Sequence, residues 1–354
     1  MKERILHYHP SCSVVSIPVA DGGEGSVDSF LTALGGEKIR VRTKGPWGDE
    51  IDSFYGILPD GTAVIEMAAS AGLPLVGDRK DPSLTTTYGV GELILDAASK
   101  GIKKLVIGLG GSATNDAGCG AAAACGVTFL DKSGRSFVPH GATLDEIADI
   151  NLSTLDERVK DMKITAMCDI DNPFYGETGA AAVFGPQKGA DPEMVKSLDG
   201  KMEKLASLIS SKLGIKLQEI PGSGAAGGMG GGMKVFFSAE LKMGIDVVLD
   251  TTDFETLAAG ADFIFTGEGK IDTQSLRGKV VIGVSRRARK MGIPVIAVVG
   301  DIGDDIDEAY DEGVTGIFSI NRVAVPYKEA RTRARSDMSL TMDNILRFMN
   351  SLGV

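Results

Sequence analysis

The 354-residue sequence lacks the features that would place it in several large classes. No stretch approaches the ~20 apolar residues of a membrane span, and the start, Met1-Lys2-Glu3-Arg4-Ile5-Leu6-His7-Tyr8-His9-Pro10, has no apolar core of a secretory signal. The four cysteines, at 12, 119, 125 and 168, form no C-x-x-C pair, and three sit in apolar or Gly/Ala-rich surroundings. Reduced thiols in a cytoplasmic protein are therefore expected. Three histidines, at 7, 9 and 140, offer no H-E-x-x-H or Cys/His spacing for zinc, and His7 and His9 fall in a segment expected to be a helix end or a frayed stretch. The absence of G-x-x-x-x-G-K-S/T excludes a Walker-type phosphate loop. Positive charge is in deficit: 37 Lys+Arg against 48 Asp+Glu give −11. That balance argues against nucleic acid or an anionic membrane as partner and favours small molecules, with self-association left open.

Glycine is in excess, with 47 residues where an ordinary composition would supply about half as many. The excess is local. Five segments hold 22 of the 47: Asp21-Gly22-Gly23-Glu24-Gly25; Gly108 to Gly120; Cys168 to Gly189; Gly222 to Gly232; and Thr266-Gly267-Glu268-Gly269-Lys270-Ile271-Asp272 with Gly278. Four of the five place a carboxylate within a residue or two of glycine, and three of these follow an apolar run. Glycine lets main-chain N–H groups close on phosphate oxygens, while a nearby carboxylate can hold Mg²⁺ or accept a hydroxyl proton. One such segment could be a tight turn with a capping Asp or Ser; four at strand ends point to phosphate chemistry. Lys44, Lys188, Lys270, Arg277, Lys279, Arg286 and Arg287 lie in or near these segments and could supply local positive charge; alternatively, Lys270 forms a surface ion pair with Glu268 or Asp272.

The clearest apolar runs are Val14 to Val19, Leu105-Val106-Ile107, Phe263-Ile264-Phe265 and Val295 to Val299, and helix-period stretches alternate with them. Val90, Leu93, Ile94 and Ala97 share one helical face, as do Met194, Leu198, Met202, Leu205 and Ile209, and Met338, Met342, Ile345 and Met349. This pattern predicts an α/β fold with a mostly parallel, doubly wound sheet. Two extended runs, Ile51 to Leu58 and Thr62 to Met67, joined by Pro59-Asp60-Gly61, predict a hairpin and entry into a second domain. The expected division is a discontinuous Rossmann-like α/β domain of residues 1–52 and 284–354, with an inserted α/β domain of 53–283 carrying most Gly/acid motifs. Gly108-x-Gly110-x-x-Ala113 and Gly222-x-Gly224-x-x-Gly227 also fit a dinucleotide fingerprint, so a nicotinamide-dependent oxidoreductase stands as an alternative.

The five segments, in this order, resemble the bacterial type-1 glycerate kinase family. Pro18 to Ser26 matches its PVADGGEGT segment, Gly108 to Gly118 its GLGGSATNDGG except at Ala117, and Cys168 to Ala190 its CDVxNPLxGxxGAAxVFGPQKGA. Pro221 onward matches PGAGAAGGxGxG, and Thr266 to Lys279 matches TGEGxxDxQTxxGK with Ser275 for threonine. The resemblance implies ATP-dependent, Mg²⁺-assisted phosphorylation of D-glycerate at the 2-hydroxyl. It also implies two α/β domains, one flavodoxin-like and one restriction-enzyme-like. Asp169 with Asp171, or Glu268 with Asp272, would then supply the base and the metal ligand, with Asp169 and Glu268 as the candidate ligands.

Substrate and nucleotide contacts are expected from Asp21, Gly22, Gly23, Glu24, Gly110, Gly111, Ser112, Thr114, Asn115, Asp116, Asn172, Gly222, Gly224, Gly227, Gly267 and Lys270. The family's opening strand and PDSFKGSLS segment have no counterpart here, and Met1 to His9 resembles the end of the helix that follows them. On that ground weak turnover and poor solubility are expected of this chain, and a ligand-binding family member without turnover is the alternative function.

Overall fold

The hairpin expected near residues 50 to 67 forms, and its pairing decides where the chain divides. The computed structural model describes residues 1–19 and 22–353. Two compact units result: Ala20–Val247, and Met1–Val19 together with Val248–Val354. The divisions expected at 52/53 and 283/284 are displaced for a physical reason. Strand β1 (Glu37–Lys44) pairs antiparallel with β2 (Glu50–Ile57) along its whole length, so a cut at 52 would split a hydrogen-bonded ladder. At the other end, Ile264–Thr266 pairs with Val295–Ala297, which ties the fifth glycine-rich segment to the chain-end unit.

In the unit Ala20–Val247 the main sheet continues through β3 (Thr62–Glu66), β4 (Lys104–Gly108), β5 (Lys163–Met167) and β6 (Glu240–Lys242), in spatial order β1-β2-β3-β4-β5-β6. β1, β2 and β3 are antiparallel; the three pairings from β3 to β6 are parallel. Every residue of β3 is buried, as befits a strand covered on both faces. The covering helices include α1 (Ser26–Leu34), α2 (Tyr88–Ser99), α3 (Cys119–Ala124), α4 (Pro192–Leu213) and α5 (Ala225–Phe237). The expected stripes are the buried faces: Val90, Leu93, Ile94 and Ala97 of α2, and Leu198, Met202, Leu205 and Ile209 of α4. Each large side chain so buried contributes about 1.5–3 kcal/mol. Helix α4 begins where Asp191 accepts the Met194 N–H at 2.8 Å with Pro192 in the first turn, and it stops at Gly214, whose φ is +71°. A small antiparallel sheet pairs Thr128–Leu130 with Ser136–Phe137 and Asp149–Asn151.

In the other unit, β7 (Ile264–Thr266), β8 (Val295–Val299) and β9 (Val314–Ser319) form a parallel sheet in that order. Side chains alternate across a strand, and β8 shows the consequence. Ala297 and Val299 pack with Val281 and Ile282 of α6 (Val280–Met291), while Ile296 and Val298 pack with Met342, Ile345 and Leu346 of α7 (Tyr327–Ser351). One expectation fails here. Val14 to Val19 form no strand; Val15 is 58% exposed, and Pro18 has no N–H to give a ladder. His7 and His9 do lie at a helix end, that of helix Lys2–Tyr8, which docks on α7 through an Arg4–Asp343 ion pair and a hydrogen bond from Arg347 Nε to the Tyr8 hydroxyl at 2.9 Å. All four cysteines are free thiols, and among the described residues no helix is long and apolar enough to cross a membrane.

Candidate active site

Strands β3, β4 and β5 end in one row, with Glu66 opposite Gly108 and Gly108 opposite Met167. The segments that follow them leave the sheet at its carboxyl edge, where open α/β sheets gather ligands. The first two glycine-rich segments meet backbone to backbone there. A Cβ on Gly108 would collide with the Gly22 carbonyl, Gly110 stands against Gly23 in the same way, and the Gly110 N–H donates to the Gly22 oxygen at 2.9 Å. Glu24 is exposed and lies over Gly111. Asp21 falls outside the described residues. Glu66 is a member of this neighbourhood that sequence reasoning missed; it is buried, and its Oε2 accepts the Val27 N–H at 3.2 Å where α1 begins. Burial pushes its carboxyl above the usual range. Its only signal in the sequence is an acid closing a fully apolar run.

The third and fourth segments join the second. The Gly224 N–H donates to the Asn172 carbonyl at 3.0 Å and the Ala117 N–H to the Gly227 carbonyl at 3.0 Å, while the Asn172 amide donates to the Thr178 carbonyl at 2.9 Å. Gly222 lies under the Cys168 sulfur. Ala226, Gly227 and Gly228 have successive φ values of 55°, 69° and 87°, so α5 opens through a left-handed kink that presses Gly227 onto Thr114. A Cβ on Gly227 would collide with the Thr114 carbonyl.

Lys188, from the third segment, is 2% exposed, and its Nζ donates to Ser112 Oγ at 2.7 Å and to the Thr114 carbonyl at 2.6 Å. Burial lowers its pKa to about 7, with the Asp116 charge opposing that shift. Asp116 is wholly buried and both of its oxygens are engaged: it accepts from the Thr87 N–H at 2.7 Å, the Thr87 hydroxyl at 2.8 Å, the Gly118 N–H at 3.1 Å and the Gly120 N–H at 3.3 Å. It ties the start of α2 to the start of α3. In the second and fourth segments three buried polar atoms find no partner among the described residues: Thr114 Oγ1, Asn115 Oδ1 and Ser223 Oγ. After β5, Asp169 accepts the Gly244 N–H at 2.6 Å at the start of helix Gly244–Thr251, and Asp171 lies exposed two residues on.

The fifth segment belongs to the other unit. There Gly267 fits against the Val298 carbonyl, and the Gly300 N–H donates to the Glu268 carbonyl at 3.0 Å, so the chain crosses the carboxyl ends of β7 and β8. Glu268 is half-buried; its Oε1 is buried without a partner, and burial holds its carboxyl above the usual range against the opposing Ser275 hydrogen bond. Asp272 instead accepts the Gln274 N–H at 3.0 Å and the Ser275 N–H at 3.3 Å, capping the turn Ser275–Arg277. Lys270 is exposed and makes no ion pair with either acid. Arg286 pairs with Glu312 at 2.8 Å, and Arg287 pairs with Glu255 at 3.1 Å and also with Asp250. Their charge answers neighbouring acids.

The dinucleotide alternative does not survive the geometry. That fingerprint opens a helix at its glycines so that the helix N-terminus meets the pyrophosphate. After Gly108 the next helix, α3, starts only at Cys119, and the turn Leu217–Glu219, not a strand, precedes Gly222. Among the described residues, no group of three or more His, Cys, Asp or Glu side chains is arranged to hold a metal. A Mg²⁺ bound by one or two carboxylates and completed by phosphate oxygens and water requires no such group.

Strand-end turns that bring main-chain amides and carboxylates together define the class as an α/β enzyme with its polar groups at the carboxyl edge. Residues 1–350 match the glycerate kinase family. The chain is 44% identical over 338 residues to the glycerate kinase of Bacillus subtilis (strain 168), covering 95% of this chain and 88% of that one. It is 42% identical over 313 residues to the glycerate 2-kinase of Escherichia coli (strain K12), covering 88% and 82%. The crystal structure of a candidate glycerate kinase 2 from Salmonella typhimurium LT2 superposes with a TM-score of 0.85 at 38% identity, covering 99% of this chain and 92% of that one. The chain belongs to the glycerate kinase family.

Proposed function

We propose that the protein is an ATP-dependent kinase that phosphorylates D-glycerate to 2-phosphoglycerate in the cytoplasm. The observation that carries this reading is the convergence, at one edge of the main sheet, of four glycine-rich segments that include a buried lysine and, among the described residues, three buried polar atoms without partners. In phosphoryl transfer the protein mostly positions groups and stabilises charge spread over the transferred oxygens. The glycerate 2-oxygen forms the new bond to the γ-phosphorus, the bond to the β-phosphate oxygen breaks, ADP leaves, and the hydroxyl proton passes to a carboxylate.

Of the two acids of the fifth segment, Glu268 is the one suited to act as a base. Its unpartnered Oε1 has capacity to accept a proton, and its raised pKa suits it to hold one. Asp272 acts as a cap. Asp169 and Asp171, following β5, suit a Mg²⁺ completed by nucleotide phosphates, and that ion would neutralise charge on the β- and γ-phosphates. Main-chain amides of Gly110, Gly111 and the Gly222 to Gly227 turn, with Ser112, would meet phosphate or carboxylate oxygens. Four free thiols fit a reducing compartment. The test is ADP release followed in a coupled assay with D-glycerate, ATP and Mg²⁺, with the product identified by phosphorus NMR. Glycerate-dependent ADP release with a 2-phosphoglycerate signal supports the reading; release that ignores glycerate, or none, refutes it.

A further inference from the structure

Lys188 is the one buried cation among the converging segments, and its surroundings are unusual. Its Nζ lies in no ion pair within 4 Å among the described residues, and the nearby Asp116 carboxylate is committed to Thr87, Gly118 and Gly120. A buried ammonium without a carboxylate is costly, so its placement calls for an explanation beyond packing. Both of its hydrogen bonds go to acceptors on one short turn, Ser112 Oγ and the Thr114 carbonyl. A serine hydroxyl has two lone pairs and one proton. With a lone pair of Ser112 taken by Lys188, the hydroxyl proton is left to be donated elsewhere. The turn that carries it is pinned on its other sides by the Ala113 N–H on the Ala71 carbonyl and the Leu73 N–H on the Gly111 carbonyl. Thr114 Oγ1 and Asn115 Oδ1, next along the chain, are buried and unpartnered.

We propose that Lys188 is a positioning residue: it fixes Ser112 as a hydroxyl donor aimed at a substrate oxyanion held by the Gly110–Gly111 turn. The inference rests on the kinase reading for the identity of the substrates. The oxyanion is either the glycerate carboxylate or a nucleotide phosphate, and the assay separates them by which KM moves.

The test compares wild-type protein with Lys188→Met, Ser112→Ala and the double variant, with KM for D-glycerate, KM for ATP, kcat and melting temperature measured for each. Each single change should raise the same substrate's KM about tenfold, as the loss of one hydrogen bond to a charged group predicts. The double variant should be no worse than about twofold beyond either single, because the lysine acts through the serine. A rise in the glycerate KM identifies the carboxylate and a rise in the ATP KM a phosphate. A lysine with only a structural role would lower the melting temperature and leave both KM values in place; that result overturns the proposal, as do effects that multiply in the double variant. If Lys188→Met does not fold, Ser112→Ala decides alone, and unchanged KM values for both substrates overturn it. Should the wild type release no ADP, the kinase reading fails separately. Calorimetric titration of D-glycerate and of ATP into wild type and Ser112→Ala then reads the same loss of affinity, and equal affinities, or no binding of either, contradict the proposal.

Discussion

Asp116 and Glu268 both sit in glycine-rich segments that follow a parallel strand, yet their surroundings are opposite. Asp116 accepts four hydrogen bonds from Thr87, Gly118 and Gly120, so that both of its oxygens are engaged. Burial raises the pKa of both carboxyls, but Glu268 keeps, among the described residues, a buried oxygen without a partner. The first carboxylate builds the unit Ala20–Val247 by tying two helix starts together; the second leaves one buried oxygen untied within its own unit. A motif match by itself does not distinguish such residues, whereas counting donors around each oxygen does.

The largest stability effect should come from Asp116→Ala, which strands four buried donors and should cost about 3–5 kcal/mol in urea denaturation. A loss below about 1 kcal/mol would break the contrast drawn between the two acids. Next in size, Gly227→Ala should destabilise by about 2–4 kcal/mol, because a left-handed φ and a collision with the Thr114 carbonyl add together. Gly269→Ala, beside Glu268, meets open space and should change stability by less than about 1 kcal/mol. Equal losses at the two glycines would remove the claim that a Cβ is excluded at Gly227 and accommodated at Gly269.

A further effect concerns pH. Lys188 has a folded pKa of about 7 against 10.5 for an ordinary lysine. Between those values the unfolded chain binds more protons, so wild-type stability should gain from this group as pH rises from about 7 to 10.5, and the gain is absent below 7. The gain should vanish in Lys188→Met, and melting curves at pH 7 and 9.5 for both proteins measure it.

Much of the fold was legible because periodicity is a local property: the stripes of α2 and α4, the β2–β3 hairpin and the apolar strand β8 follow from sequence spacing alone. What was not legible depends on partners distant in sequence. Val14 to Val19 has the composition of a strand but no ladder to join. The domain limits missed because nothing local to Ile51 announces that β1 already lies beside it. Within the site, the Gly/acid segments were visible, but their division of labour was not. Nothing local in the sequence shows that Asp116, a binding candidate, and Asp272, a catalytic candidate, each accept main-chain N–H groups, or that Lys188, a source of local positive charge, is buried under Ser112 and Thr114.

The central claim, that the carboxylate left with an unpartnered oxygen performs the chemistry, is tested most directly by kcat of Glu268→Gln against wild type at equal melting temperature. Loss of a general base predicts a fall on the order of 10²–10⁴; a Glu268→Gln protein that turns over D-glycerate within tenfold of wild type would contradict it.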